Sequence, residues 1–344
     1  MPKKSKTAPN ATFSAELVPI RTDSNLLSFL RCHDADRLSS WCRVYEELEG
    51  QAKSDNTRAA KQRDLQLFLD FFALKVGTDH RDDWTKPVTT GFLRHLETAT
   101  VLHRGAQVQR KAATVNRVFS TLRHFAGWVH AKKPFLAGNP CTGVKELVTD
   151  EPAWKGLDDT EVMRLKSAAE QLLRLKTRSD QSAARDKAIF LVLLHTGVRV
   201  SELVDIDRHQ FRSKHLTDVK RKGKLRSAKI FLPKEAKEAL DAYLKERGDR
   251  GGPLFLTRSG ERLNRQDVDW LLRGLAAQAN AQRGKDKQIR FSAHTLRHTF
   301  LRKVAAKHGV EFAMQAAGHA STKYIWRYVK PSDEQTEAAL EGLF

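Results

Sequence analysis

Apolar residues recur along most of this chain at helical spacing. In residues 57–77, Leu65, Phe68, Leu69 and Phe72 share one face, and Gly77 ends the pattern, as glycine does where a helix must turn left-handed. Behind Pro87 a second helix is predicted over 89–98, with Phe92, Leu93 and Leu96 together. The strongest pattern of this half covers 113–129. Val115, Val118, Phe119, Leu122, Phe125, Ala126 and Val129 form its stripe, while Asn116, Arg117, Arg123 and His124 lie off it. Those four polar residues either face a binding groove or form a solvated face. Pro134, Gly138, Asn139 and Pro140 then break the periodicity, and 141–156 reads as a linker.

The second half opens on an N-cap signal, Asp158-Asp159-Thr160, followed by a helix to about 175 and another over 183–195. The pattern then changes. Residues 218–232 hold two short β-prone pieces around Lys222-Gly223-Lys224, which predicts a hairpin. From Lys234 onward the spacing is helical again, with a turn over 248–253. The expected architecture is mainly α, with a small hairpin or sheet in the second of two domains. Residues 1–22 are a basic, disordered tail, 23–140 a helical domain, 141–156 the linker, 157–330 the second domain and 331–344 a C-terminal tail.

Charge narrows the class of partner. Lysine and arginine number 61 against 41 aspartates and glutamates, a formal charge of +20, which favours a polyanion. Nucleic acid fits. A membrane surface fits less well, because the chain has no run of eighteen apolar residues, no signal-peptide pattern and no lipidation motif. Cys32, Cys42 and Cys141 are too few and too unevenly spaced for a disulfide framework or a zinc ribbon, which points to a reducing compartment. Cys32-His33 with Cys42 offers three metal-ligating side chains, but no second ligand pair follows at zinc spacing, and core packing is the simpler reading.

Four local signals follow one another: Thr196-Gly197-Val198-Arg199-Val200-Ser201-Glu202-Leu203, the hairpin at Lys222, His294-Thr295-Leu296-Arg297-His298, and Gly318-His319 with Tyr328 nine residues on. By itself Arg199 reads as a surface arginine paired with Glu202 or Asp205, and His294-x-x-Arg297 is a spacing that occurs often by chance. In this order, over 158–329, the set resembles the phage integrase, or tyrosine recombinase, family and is similar to its Xer-like and simple-integrase branches. The N-terminal half resembles that family's helical core-binding domain more weakly, through its pattern and Asn139-Pro140. Ala317 departs from the family, where leucine is usual before the glycine.

The resemblance implies a two-domain clamp on double-stranded DNA carrying a specific core site. In it Arg199 and Arg297 receive the charge that builds on the non-bridging phosphate oxygens, a task suited to a planar, permanently charged fork. Tyr328 is the implied nucleophile, His294 its base and His319 a hydrogen-bond donor to the phosphate. Tyrosine ionises near 10, so it needs a base or a positive field. Tyr324, one helical turn earlier, is the rival nucleophile. Lys222 is the implied acid for the departing 5′ oxygen, with Lys220 and Lys224 as competitors, and all three also suit plain phosphate contact.

No cofactor is implied: the chain shows no grouped carboxylates for magnesium and no phosphate-binding glycine loop, and a phosphotyrosine link keeps the bond energy for rejoining. The implied pathway is a 3′-phosphotyrosyl intermediate, a Holliday junction and a homo-tetramer on DNA, in the cytoplasm and at the nucleoid if bacterial. It leaves room for an accessory DNA-bending or directionality factor. Leu340, Leu343 and Phe344 make the tail apolar, so it docks either on a neighbouring subunit or on its own domain. The N-terminal extension, longer than the compact Xer pattern needs, favours an integrase or transposon-encoded recombinase of a mobile element. Alternatives are Xer-type dimer resolution, a type IB topoisomerase-like activity and a non-catalytic DNA-binding regulator.

Overall fold

The computed structural model describes residues 34–50, 54–103, 105–149, 156–175, 182–221, 226–248, 251–281 and 283–318, together with 337, 340 and 341. The chain divides into two compact units, 1–151 and 152–344. Among the described residues no helix is long and apolar enough to cross a membrane.

The first unit holds helices α1 (Leu38–Gly50), α2 (Asp55–Val76), α3 (Lys86–Thr98) and α4 (Ala112–Lys132), with a hairpin of β1 (Thr100–His103) and β2 (Ala106–Gln109) between the last two. Its core is aromatic: Trp41, Tyr45, Phe68, Phe72, Trp84, Phe92, Phe119 and Phe125 are all buried. Phe68 and Trp84 approach to 4.6 Å between ring centroids, a distance at which aromatic pairs add to the gain from burial. Two elements escape the sequence patterning. Helix α1 buries Leu38, Trp41, Cys42 and Tyr45, but this stripe is only about two turns long. The hairpin pairs Thr100 with Gln109, yet Leu102 is 77% exposed, so no alternation of buried and exposed side chains marks it.

The polar residues of α4 bind the unit together. Arg117 grips the buried carboxylate of Asp64 with two bonds, of 2.5 and 2.8 Å, and Thr121 donates a third. Asn116 exchanges two hydrogen bonds with the backbone of Leu147, Arg123 pairs with Glu146, and His124 Nδ1 lies 2.7 Å from the Tyr45 hydroxyl. These side chains are therefore neither a free groove face nor a merely solvated one. They also show that residues 141–147 are no loose linker, since Cys141 is buried and Val144 and Leu147 pack on the aromatic core. Cys42 and Cys141 are free and buried in this core, and burial pushes the Cys42 thiol up and that of Cys141 up to about 12. Cys32 and His33 lie outside the described residues.

The second unit is built around a helix that is apolar on every side. Helix α6 (Ser182–Thr196) buries each residue from Ala188 to Leu194, as a central helix must. Against it pack α5 (Asp159–Arg174), α8 (Lys234–Arg247) and α10 (Ala293–His308). Asp158 caps α5 reciprocally: it accepts from the Glu161 N–H at 2.7 Å, while its own N–H donates to the Glu161 carboxylate at 3.0 Å. The short helix α7 (Val200–Val204) precedes an antiparallel sheet of β3 (Phe211–Arg212), β4 (His215–Lys220) and β5 (Arg226–Phe231), in the order β3-β4-β5. Helices α9 (Arg265–Asn280) and α11 (Val310–Ala317) complete it.

The turn from α6 to α7 is fixed by Gly197. Its φ is +60°, a left-handed value, and a β-carbon there would lie 2.3 Å from the Phe300 ring on α10. Both constraints demand glycine. Gly197→Ala should cost about 3 kcal/mol of the second unit's stability, adding left-handed strain to overpacking. Urea unfolding of the variant checks this, and an unchanged midpoint would show that the turn and Phe300 relax freely.

Candidate active site

Leaving Gly197, the chain extends through Arg199 and enters α7, whose first turn carries Glu202. The Glu202 carboxylate is 3% exposed and accepts three bonds. Its Oε2 receives the Arg199 backbone N–H at 2.9 Å and Arg221 Nη1 at 2.8 Å, and its Oε1 receives Arg199 Nη1 at 2.7 Å. Burial alone would push the Glu202 carboxyl up. The Arg199 N–H and the Arg221 and Arg199 guanidiniums outweigh it and hold the group below its ordinary value of 4.5. Arg199 does pair with Glu202, as its local sequence predicts, but inside the protein rather than on an exposed face. Its side chain remains 26% exposed.

Arg297 comes to the same place from 98 residues further on. Helix α10 starts at an N-cap, Ser292, that accepts from the Thr295 N–H, and one turn later Arg297 is 3% exposed. Its Nη1 donates to the carbonyl of Gly197, two residues before Arg199. The same helix also ties down the start of the unit, because Thr299 accepts the Leu157 N–H at 2.8 Å. His294, in the first turn of α10, is exposed, and its ring lies 4.3 Å from that of His298. Only Thr295 and Leu296 separate His294 from Arg297, yet one sits at the surface and the other in the interior.

The structure thus brings Arg199 and the residues around Arg297 together through the Gly197 carbonyl. Lys222, His319 and Tyr328, and the rivals Lys224 and Tyr324, lie outside the described residues. Lys220 is the last residue of β4, exposed and paired in register with Arg226. Gly318 closes α11 in a left-handed conformation immediately before His319. One residue that sequence reasoning missed stands at the centre of this arrangement. Arg221, directly before Lys222, is buried against Glu202, and nothing in a lysine-rich, arginine-rich sequence distinguishes it from the exposed Lys220 beside it.

Residues 157–335 match the model of the phage integrase family. The tyrosine recombinase XerD of Oceanobacillus iheyensis is 28% identical over 305 residues, covering 85% of this chain and 91% of that protein. Among solved structures, the XerH site-specific recombinase in a post-cleavage complex with its palindromic difH substrate superposes with a TM-score of 0.68 at 16% identity, over 93% of this chain and 89% of the other. The Tn1549 transposon integrase bound to circular-intermediate DNA does so with a TM-score of 0.67 at 16% identity, over 87% and 98%. With more than half its length matched to one family model, this chain belongs to the phage integrase family, the tyrosine recombinases that cleave and rejoin DNA strands.

Proposed function

We propose that the protein is a site-specific recombinase whose nucleophile is Tyr328 and whose electrophilic clamp is Arg199 with Arg297. The observation that carries this is the Arg297 guanidinium on the Gly197 carbonyl, which seats it beside a backbone that Glu202 has already fixed around Arg199. Two permanently charged groups are then in place before substrate arrives, which is what charge developing on a phosphate in flight requires.

The Tyr328 oxygen attacks phosphorus and gives its proton to His294, while the bond from phosphorus to the 5′ oxygen breaks and its electron pair stays on that oxygen. Lys222 supplies the proton that makes a neutral 5′-hydroxyl. The phosphate is left esterified to Tyr328 on its 3′ side, with His319 donating to it, and a 5′-hydroxyl from a second duplex reverses the step. Repeated on both strands, this passes through a Holliday junction and asks for four subunits on two DNA sites, with the apolar C-terminal tail joining neighbours. The setting proposed is integration or transposition of a mobile element.

A nicked suicide duplex with sequence flanking the gene's own element should trap a covalent protein–DNA band on a denaturing gel. Tyr328→Phe should abolish the band and Tyr324→Phe retain it, whereas loss only in Tyr324→Phe would reassign the nucleophile. Junction products from two intact duplexes separate recombination from simple resealing.

Glu202 makes the clamp sensitive to acid. Its folded value lies below 4.5, so its contribution to stability is complete above that pH and is lost as pH falls through the lowered value. Glu202→Gln should therefore be less stable than the parent at pH 7, with the gap closing below about pH 4.5, as followed by urea unfolding across pH. A gap that stays constant into acid would mean that Glu202 is not the titrating group.

A further inference from the structure

We propose that Arg221 is a positioning residue for protonation of the leaving group, because its guanidinium clasps the base of the β4–β5 hairpin to the carboxylate that orients Arg199. This rests on the reading of Lys222 as the proton donor.

The geometry of Arg221 is unusual for an arginine in a cationic hairpin. Its side chain is 4% exposed, and its bonds run in two directions. Nη1 donates to Glu202 Oε2 at 2.8 Å, and Nε donates to the Ser227 hydroxyl at 2.6 Å. Ser227 lies on β5 and Arg221 follows the end of β4, so this second bond ties the two strands together beside their last registered pair, Lys220 and Arg226. A third neighbour is Gly318, where a β-carbon would lie 3.2 Å from Arg221 Nε. One guanidinium therefore bonds to α7 and β5 and crowds any side chain at the residue before His319.

Burying a charged side chain is costly unless it is paired and hydrogen-bonded, and here both conditions are met by groups that belong to the reaction site. A lysine side chain has four rotatable bonds, and its ammonium delivers a proton to one oxygen only if the backbone that carries it is held. A sheet edge alone does not do this, since β4 and β5 end at Lys220 and Arg226. The bonds of Arg221 tie the residue after β4 back onto Ser227, which already pairs with Val219, and lock it to Glu202. The same Glu202 carboxylate holds Arg199, so the donor side and the clamp side of the phosphate share one anchor.

The test uses the full-length protein on two suicide duplexes, one with the normal 5′ bridging oxygen and one with sulfur in its place. A thiol ionises near 8.5 and leaves as thiolate without a proton, so sulfur removes the need for an acid. Single-turnover cleavage and DNA binding are measured for Arg221→Met, Ser227→Ala, Arg199→Ala and Lys222→Ala. Arg221→Met should slow cleavage of the oxygen substrate by roughly 10²-fold and leave the sulfur substrate close to parental rate. Ser227→Ala should give the same direction with a smaller loss, and it carries the test if Arg221→Met does not fold. Arg199→Ala should stay slow on both substrates. If Lys222→Ala is rescued by sulfur but Arg221→Met and Ser227→Ala are slowed equally on both substrates, or not slowed at all, Arg221 is packing and the inference fails. If Lys222→Ala itself is not rescued, the reading of Lys222 as donor fails and takes the inference with it.

Discussion

The buried carboxylate of Glu202 is the point on which the site depends. Arg199 and Arg221 converge on it, and the Arg297 guanidinium sits one peptide chain away on the Gly197 carbonyl. In a protein carrying a formal charge of +20, packing three guanidiniums around one turn is electrostatically unfavourable without an anion among them. Glu202 offsets that repulsion, and because it is shielded from water its hold on each partner is stronger than that of a surface ion pair. The two arginines are thereby set in place by the fold itself, and binding DNA need not order them.

The same constraint explains the local backbone. Gly197 must be left-handed and bare for Phe300 to pack over it, and only that turn presents its carbonyl to Arg297 while sending the next residues into α7. Helix α6, apolar on all faces, delivers the turn from the middle of the core, and α10 delivers Arg297 from the other side. The rigid parts of the unit thus end at the residues proposed to meet the phosphate, an arrangement that would keep a reacting geometry within tight limits.

Much of this was legible in the chain. Strong periodicity located α2, α4, α5 and α6 because each carries a long stripe or an apolar run, and Asp158 and Gly77 marked their ends through well-defined capping chemistry. The hairpin at β4 and β5 was visible in its β-prone flanks. Helix α1 and the β1–β2 hairpin were not, one for being short and the other for burying almost nothing. At the site, Arg199 and Arg297 stood out through their neighbours in sequence. Arg221 did not, because its role arises from contacts with Glu202, Ser227 and Gly318, which are distant or unremarkable in sequence. The polar residues of α4 were equally opaque: periodicity says that they leave the core stripe, but only tertiary structure shows that Asp64, Tyr45, Glu146 and Leu147 wait for them.

A preformed cationic clamp is most directly tested by taking charge away from the substrate instead of the protein. Replacing the scissile phosphodiester by a methylphosphonate removes one negative oxygen and with it the charge that Arg199 is proposed to receive. Arg199→Ala should cleave the ordinary duplex slower than the parent by roughly 10²- to 10³-fold and recover most of that loss on the methylphosphonate. An equal loss on both substrates would contradict a clamp whose task is to neutralise the phosphate.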